Sequence, residues 1–110
     1  MNDQLWDELV GAIRRVRERY GVADPWQTWA DEVLAGAVTT SAQAIEAATA
    51  AGAVMATAGL VVKGTEPPQQ IARAAWAIAH AAALAMVYGD DAAPAVKWAV
   101  EIVDREIQSG

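Results

Sequence analysis

The sequence predicts an all-α fold, an antiparallel bundle of four or five helices with two Ala/Gly-rich helices at its centre. Apolar residues recur three and four positions apart along most of the chain, which is the spacing of one helix face. Alanine, a strong helix former, supplies 27 of the 110 residues. No segment alternates apolar and polar residues as a half-buried strand does. We therefore expect residues 1–110 to form a single helical domain.

The first helix is predicted from Asp3 to Tyr20. Acidic residues occupy its first half and arginines its second half, so its charges complement the helix dipole at both ends. Gly21 follows as the expected stop. One side of this helix carries a continuous apolar stripe, which consists of Leu5, Leu9, Ile13, Val16 and Tyr20.

The second helix is predicted to begin at about residue 25. Asp24 is a favourable N-cap, and Pro25 suits the first helical position. Gly36 can end this helix, and Thr40 and Gln43 have the spacing of a capping box that starts another one. We therefore predict a break or kink in this stretch instead of one long helix. The expected apolar stripe comprises Trp26, Trp29, Val33 and Ala37.

The third and fourth helices form the apolar centre of the sequence. The third is predicted over residues 41–63, with Gly64 as its stop. Pro67 and Pro68 then favour the first turn of a fourth helix, which ends at Tyr88 ahead of a glycine. These two helices hold most of the alanines in the chain, which favours a close approach of their backbones.

The last helix is predicted to open at the acidic pair that begins with Asp90 and to reach about Gln108. Glu101 and Asp104 lie three positions apart on it, so the two carboxylates could share a divalent cation. Lys97, four positions before Glu101, makes the same side a continuous polar stripe, which is typical of a solvated face. We therefore predict no metal site on this helix.

The composition excludes several classes of function. The chain has no cysteine, so disulfides, thiolate metal sites and cysteine nucleophiles are excluded. Its one histidine, His80, leaves no two-histidine metal site within a single chain. The net charge of −6 disfavours general nucleic-acid binding, which needs clustered positive charge. We predict no cofactor and no nucleic-acid partner.

Two apolar segments raise the question whether the chain spans a membrane. Residues 74–88 are too short to span a bilayer, and the segment over residues 44–62 is rich in alanine and glycine and carries Glu46 near one end. A cleavable signal peptide is not indicated, because the chain starts with an acidic amphipathic helix. We therefore expect a cytoplasmic protein that does not enter a membrane.

The third helix carries a face of small residues that predicts close packing against another helix. The fourth helix is apolar on nearly all sides, and such a helix is normally buried on nearly all sides. Because the other helices are short, we expect one copy to leave apolar surface uncovered. We therefore predict a homo-oligomer, most simply a two-fold dimer, with another helical protein as a possible partner. The predicted interface residues are Ala44, Ala48, Gly52, Met55 and Gly59.

Four residues are candidate ligand contacts, namely Trp26, Trp29, Trp76 and His80. Indole rings can line a pocket for an aromatic or cationic ligand, although tryptophans at helical spacing more often belong to the core. Trp26 and Trp29 are the pair expected to edge a cleft. Alanines surround His80 in the sequence, which leaves room for haem or another flat macrocycle beside an axial imidazole. The alternative is a local or interface hydrogen bond of His80.

The helix order, the Pro25-Trp26 pair before the second helix and the Asp90-Asp91 pair before the last one resemble the MazG-type nucleoside triphosphate pyrophosphohydrolases. That family holds magnesium with a Glu-x-x-Glu pair on one helix and a Glu-x-x-Asp pair on the next. This chain keeps only Glu46 where the first pair falls, and residues 74–83 contain no acid where the second falls. The resemblance therefore implies at most a non-catalytic relative.

The sequence predicts a non-enzymatic helical protein that associates with itself or with another helical partner. It contains no acid–base pair, activated nucleophile or phosphate-binding loop. A composition rich in Ala, Gly, Val and Arg and poor in Lys and Asn is typical of GC-rich codons and indicates a bacterial or phage accessory factor. The alternative is a small-ligand-binding bundle, with a MazG-like nucleotide pocket or an apolar or haem-like ligand near His80.

Overall fold

A computed structural model describes residues 3–19, 25–37, 40–61 and 66–108, with side-chain surroundings for residues 4–18, 25–37, 40–53 and 72–106. The all-α prediction is confirmed, because these residues form helices and turns and no strand. In chain order the elements are α1 (Asp3–Arg19), α2 (Trp26–Leu34), α3 (Ser41–Val61), α4 (Glu66–Tyr88), a short 3₁₀ turn (Gly89–Ala92) and α5 (Ala93–Gln108).

The predicted break between the second and third helices is confirmed. Gly36 follows α2 with a φ of 81°, a left-handed conformation that glycine adopts without steric cost. The predicted capping box opens α3: the Thr40 N–H donates to Gln43 Oε1 at 2.8 Å, and the Gln43 N–H donates to Thr40 Oγ1 at 3.2 Å. Ala37 was expected in the apolar stripe of α2, and this was wrong because the helix ends at Leu34 and Ala37 is exposed.

The predicted start of the last helix was wrong by three residues. Gly89 ends α4 with a φ of 61°, as a glycine after a helix is expected to do. The Asp90-Asp91 pair then lies in the 3₁₀ turn, and α5 begins only at Ala93. Pro25 likewise precedes α2, which begins at Trp26. The other expected stops and caps, Gly21, Asp24 and Gly64, lie outside the described residues.

The core is built mainly from alanine, with one large ring at its centre. Trp26 is fully buried, and its Nε1–H donates to the Ala75 carbonyl of α4 at 3.0 Å. Trp29 packs against it edge-on, with 6.0 Å between the ring centroids. Buried indole N–H groups need such a partner, because an unpaired donor loses its hydration without replacement. The largest fully buried side chains are Trp26, Leu9, Ile13, Ile78, Val16, Val96 and Val103.

Helix α4 is the central element, because the other helices cover most of its circumference. Its buried residues face in almost every direction around the helix axis and, Ile78 apart, are all alanine: Ala72, Ala74, Ala75, Ala77, Ile78, Ala79, Ala81, Ala82, Ala83 and Ala85. One chain encloses these residues, and exposed apolar side chains of α4 remain at Val87 and Tyr88. Alanine reaches no further than its Cβ atom, so short helices can close around α4 at small separations.

Surface ion pairs connect the arginine-rich half of α1 to the helices beside it. Arg15 pairs with Asp104 of α5, and the Arg17 Nε–H donates to Asp31 Oδ1 of α2 at 2.9 Å. These pairs are partly or largely exposed, so each contributes little to stability. They nevertheless give two of the α1 arginines a structural role.

No helix in the described ranges is both long enough and apolar enough to cross a membrane.

Replacing Trp26 by Phe removes the indole N–H and some buried volume. We expect Trp26→Phe to lower the free energy of unfolding by about 1 to 3 kcal/mol, through a small cavity and the lost hydrogen bond. Urea denaturation measures this change. Trp98→Phe is the matched control, because Trp98 is 38% exposed and should lose well under half as much. Equal losses in the two variants would contradict the central role of Trp26.

Thr40→Ala should cost about 1 kcal/mol of unfolding free energy, because it removes the side-chain acceptor that caps α3. Thr49→Ala is the control on the same helix. The Thr49 hydroxyl only donates to the Ile45 carbonyl one turn earlier, at 2.9 Å, and this bond adds little to a helix. Thermal unfolding of both variants tests the difference, and a Thr40→Ala protein as stable as Thr49→Ala would argue against the cap.

Candidate interaction surface on helices α3, α4 and α5

The uncovered side of α4 carries a row of large side chains. Trp76, His80, Leu84 and Tyr88 follow one another at intervals of four residues, and Val87 lies beside the row. His80 is exposed, Trp76 and Leu84 are half-buried, and Val87 and Tyr88 are 59% and 61% exposed. The sides of α4 covered by other helices carry mostly alanine, so the large residues are concentrated where the chain does not cover them.

Aromatic rings connect this row to α5. The rings of Trp76 and His80 are stacked, with centroids 5.6 Å apart and an angle of 14° between their planes. Trp98 of α5 meets Trp76 edge-on, with centroids 5.8 Å apart and an angle of 87°. Both arrangements are favourable for aromatic pairs. The three rings therefore form a corner at the surface, in which His80 and Trp98 are exposed.

Helix α3 borders the other side of the row. A Cβ atom placed on Gly52 would lie 3.6 Å from Cδ1 of Trp76, so this edge of α3 adjoins the indole. Ile45 is seven residues before Gly52, which is two turns and nearly the same direction, and it is 55% exposed. We call the surface made by Ile45, Trp76, His80, Leu84, Val87, Tyr88 and Trp98 the α4 face. In the part of the chain with described side chains, every exposed large apolar residue belongs to it.

The predicted small-residue interface lies, as far as it is described, inside the chain. Ala44 is fully buried and Ala48 is 6% exposed within a single copy, so neither offers a free surface. Gly52 is half-buried at the edge beside Trp76. The surroundings of Met55 and Gly59 lie outside the described residues. The α3 face that we expected a second copy to cover is thus, at Ala44 and Ala48, already covered by the same chain.

The four predicted ligand contacts fall into two separate groups. Trp26 and Trp29 are 0% and 3% exposed, so the expectation that they edge an open cleft was wrong. Trp76 and His80 do lie together, at the surface. The alanines on either side of His80, from Ala77 to Ala83, are buried in the core, so they do not line open space beside the imidazole.

Sequence reasoning missed five members of the α4 face, namely Ile45, Leu84, Val87, Tyr88 and Trp98. A signal was present for Trp98, because it directly follows Lys97 in the polar stripe of α5 and therefore lies near solvent. None was present for Ile45, since α3 is apolar on most sides and the pattern does not say which side the chain covers.

The two carboxylates of α5 that were weighed as cation ligands have different surroundings. Asp104 is paired with Arg15, and Glu101 is exposed. Among the described residues, no group of three or more His, Asp or Glu side chains is arranged to hold a metal ion.

No protein-family model, curated protein or solved structure matches this chain. The resemblance to MazG-type enzymes therefore has no support beyond the residues that suggested it. Of those residues, Glu46 is exposed on α3, and Asp90 and Asp91 are exposed in the turn before α5.

The small-residue face of α3 predicts close helix packing at Gly52. Among the described residues, the side-chain atom Cδ1 of Trp76 is what lies near a Cβ atom placed at this position. Gly52→Ala should fit at ordinary contact distance and raise the unfolding free energy by about 0.5 to 1 kcal/mol, because alanine favours a helix more than glycine does. Gly52→Leu should stay folded and displace the Trp76 ring, at a cost of about 1 kcal/mol. Thermal unfolding and near-ultraviolet circular dichroism measure both effects. An unfolded Gly52→Leu protein would contradict this expectation and would favour close helix packing at position 52.

Proposed function

We propose that the chain is a non-enzymatic helical protein whose function is to bind another helical surface, in the first place that of a second copy. The observation that carries this proposal is the α4 face. Ile45, Val87, Tyr88 and Trp98 are the exposed large apolar side chains of the described part. Val87 and Tyr88 lie on α4, Trp98 meets Trp76 of the same helix, and Ile45 lies two turns before Gly52, which adjoins Trp76. Apolar side chains scattered singly are ordinary, whereas a contiguous group usually marks an association site.

The proposal includes an antiparallel arrangement of α3, α4 and α5. Gly52 of α3 lies beside Trp76 of α4, and both are twelve residues from position 64. Arg73, near the start of α4, lies 3.6 Å from Glu106, near the end of α5. Both pairings are those of neighbouring helices that run in opposite directions. Such a layer would present α4 in the middle, with α3 and α5 at its sides.

The runner-up is a ligand-binding role for the aromatic corner of Trp76, His80 and Trp98. Two rings at right angles with a third stacked beside them offer faces and edges to a flat apolar or cationic molecule. Haemin is the first probe, because His80 is exposed and could ligate iron. A Soret shift that disappears in His80→Ala would favour this role, and an unchanged haemin spectrum would remove it.

Association through the α4 face should be sensitive to charge. The native chain is expected to have twice the monomer mass at micromolar concentration, measured by light scattering after gel filtration. Ile45→Lys combined with Val87→Lys should weaken this association at least about tenfold, because burying unpaired charge in an interface is costly.

The matched control is Gln27→Lys combined with Ala35→Lys, which adds the same charge on or next to α2. Circular dichroism and thermal unfolding of the native chain and the two double variants separate loss of association from loss of the fold. A native chain of monomer mass up to the highest attainable concentration contradicts self-association. A dimer that is equally stable in both double variants contradicts the use of this face.

A further inference from the structure

We propose that the α4 face binds the α4 face of a second copy about a two-fold axis, with the two α4 helices antiparallel and centred between His80 and Leu84. This inference rests on the proposed function and specifies its surface, partner and register. Two observations support it. The large side chains on the exposed side of α4 are evenly spaced, so that the row fits a second copy that runs in the opposite direction, and the two ends of the row carry opposite charges.

The apolar part of this row matches end to end. Large side chains on the exposed side of α4 follow at Trp76, His80, Leu84 and Tyr88, at equal steps of four residues. Rows of this spacing on two helices can interdigitate, and the spacing stays the same when the direction of the row is reversed. In the antiparallel register, His80 of each copy faces Leu84 of the other. Trp76 then faces the end with Val87 and Tyr88, so that a ring of each copy meets a ring of the other.

The charges at the two ends of the row have opposite signs. Arg73 precedes the row, and its side chain is 51% exposed and lies 3.6 Å from Glu106. Asp90 and Asp91 follow the row and are both exposed. An antiparallel arrangement centred between His80 and Leu84 brings the end of α4 that carries Arg73 towards the turn of the other copy that carries Asp90 and Asp91. A parallel arrangement would instead bring like charges together at both ends.

The net charge of the chain makes this face the favourable place for a second copy. A chain with a net charge of −6 repels another copy over most of its surface. The row from Arg73 to Tyr88 contains no acidic residue, and its flanking members Ile45 and Trp98 are uncharged. Two copies that meet here therefore bury apolar area where their mutual repulsion is weakest, and their acidic turns lie beside the arginines.

The register predicts a specific rescue between two weakened variants. His80→Glu and Leu84→Lys each place a charge opposite an uncharged residue of the second copy, so each variant alone should dimerise about a hundredfold more weakly than the native chain. In a mixture, the carboxylate introduced at position 80 of one variant faces the ammonium group introduced at position 84 of the other. The second His80–Leu84 contact of that pair stays native. The mixture should therefore regain most of the native affinity as a heterodimer.

Sedimentation equilibrium of the native chain, each variant and the equimolar mixture measures these affinities. Gln27→Glu on α2 is the control for added negative charge and should dimerise as the native chain does. Circular dichroism confirms that each variant is folded. Recovery of dimer in the mixture alone supports the proposal.

Three other outcomes overturn it in distinguishable ways. Variants that dimerise as the native chain does would exclude this face while leaving self-association in place. Two weakened variants without recovery in the mixture would exclude this register. A monomeric native chain would remove the inference and the proposed self-association together.

Discussion

The fold depends on one buried ring in a core of small side chains. Alanine fills little space, so helices that pack through it must approach closely, and the remaining central volume has to be filled from elsewhere. Trp26 fills it as the largest fully buried side chain. Its indole N–H donates to the Ala75 carbonyl, which fixes where the short helix α2 lies along α4 and leaves no buried donor unpaired. The sides of α4 that are closed to solvent are those against which α1, α3 and α5 pack.

The α4 face is a consequence of this arrangement. Helices that pack closely around α4 leave one open side, and most of the large side chains described on α4 lie there. Trp76 lies at the boundary between the core and this open side, because it adjoins the α3 edge at Gly52, stacks on His80 and meets Trp98 of α5. The fold therefore separates two kinds of tryptophan. Trp26 and Trp29 hold the core together, whereas Trp76 and Trp98 shape a surface.

Local signals in the sequence predicted the helix ends well. The hydrophobic periodicity did not predict which side of a helix is buried where that helix is apolar all round. Gly36, Thr40, Gln43 and Gly89 mark boundaries through backbone conformation and capping, which depend on near neighbours alone. The covered side of α3 could not be predicted, because its small residues alternate with few polar ones. For the same reason, Ala44 and Ala48 suggested an interface between copies and proved to be internal. Trp26 lies between Pro25 and Gln27, whereas Trp76 lies between two alanines, so the ring with the more polar neighbours is the one in the core. Only the tertiary arrangement separates the core ring from the surface ring.

The central claim is that the core tryptophans and the surface tryptophans belong to different environments, of which only the second is an association surface. The indole N–H signals in nuclear magnetic resonance spectra, assigned by single substitutions and followed while the protein is diluted, test this directly. The signals of Trp76 and Trp98 are expected to move with concentration, while those of Trp26 and Trp29 stay fixed. Signals of Trp76 and Trp98 that do not depend on concentration, or concentration-dependent shifts of Trp26 and Trp29, would contradict it.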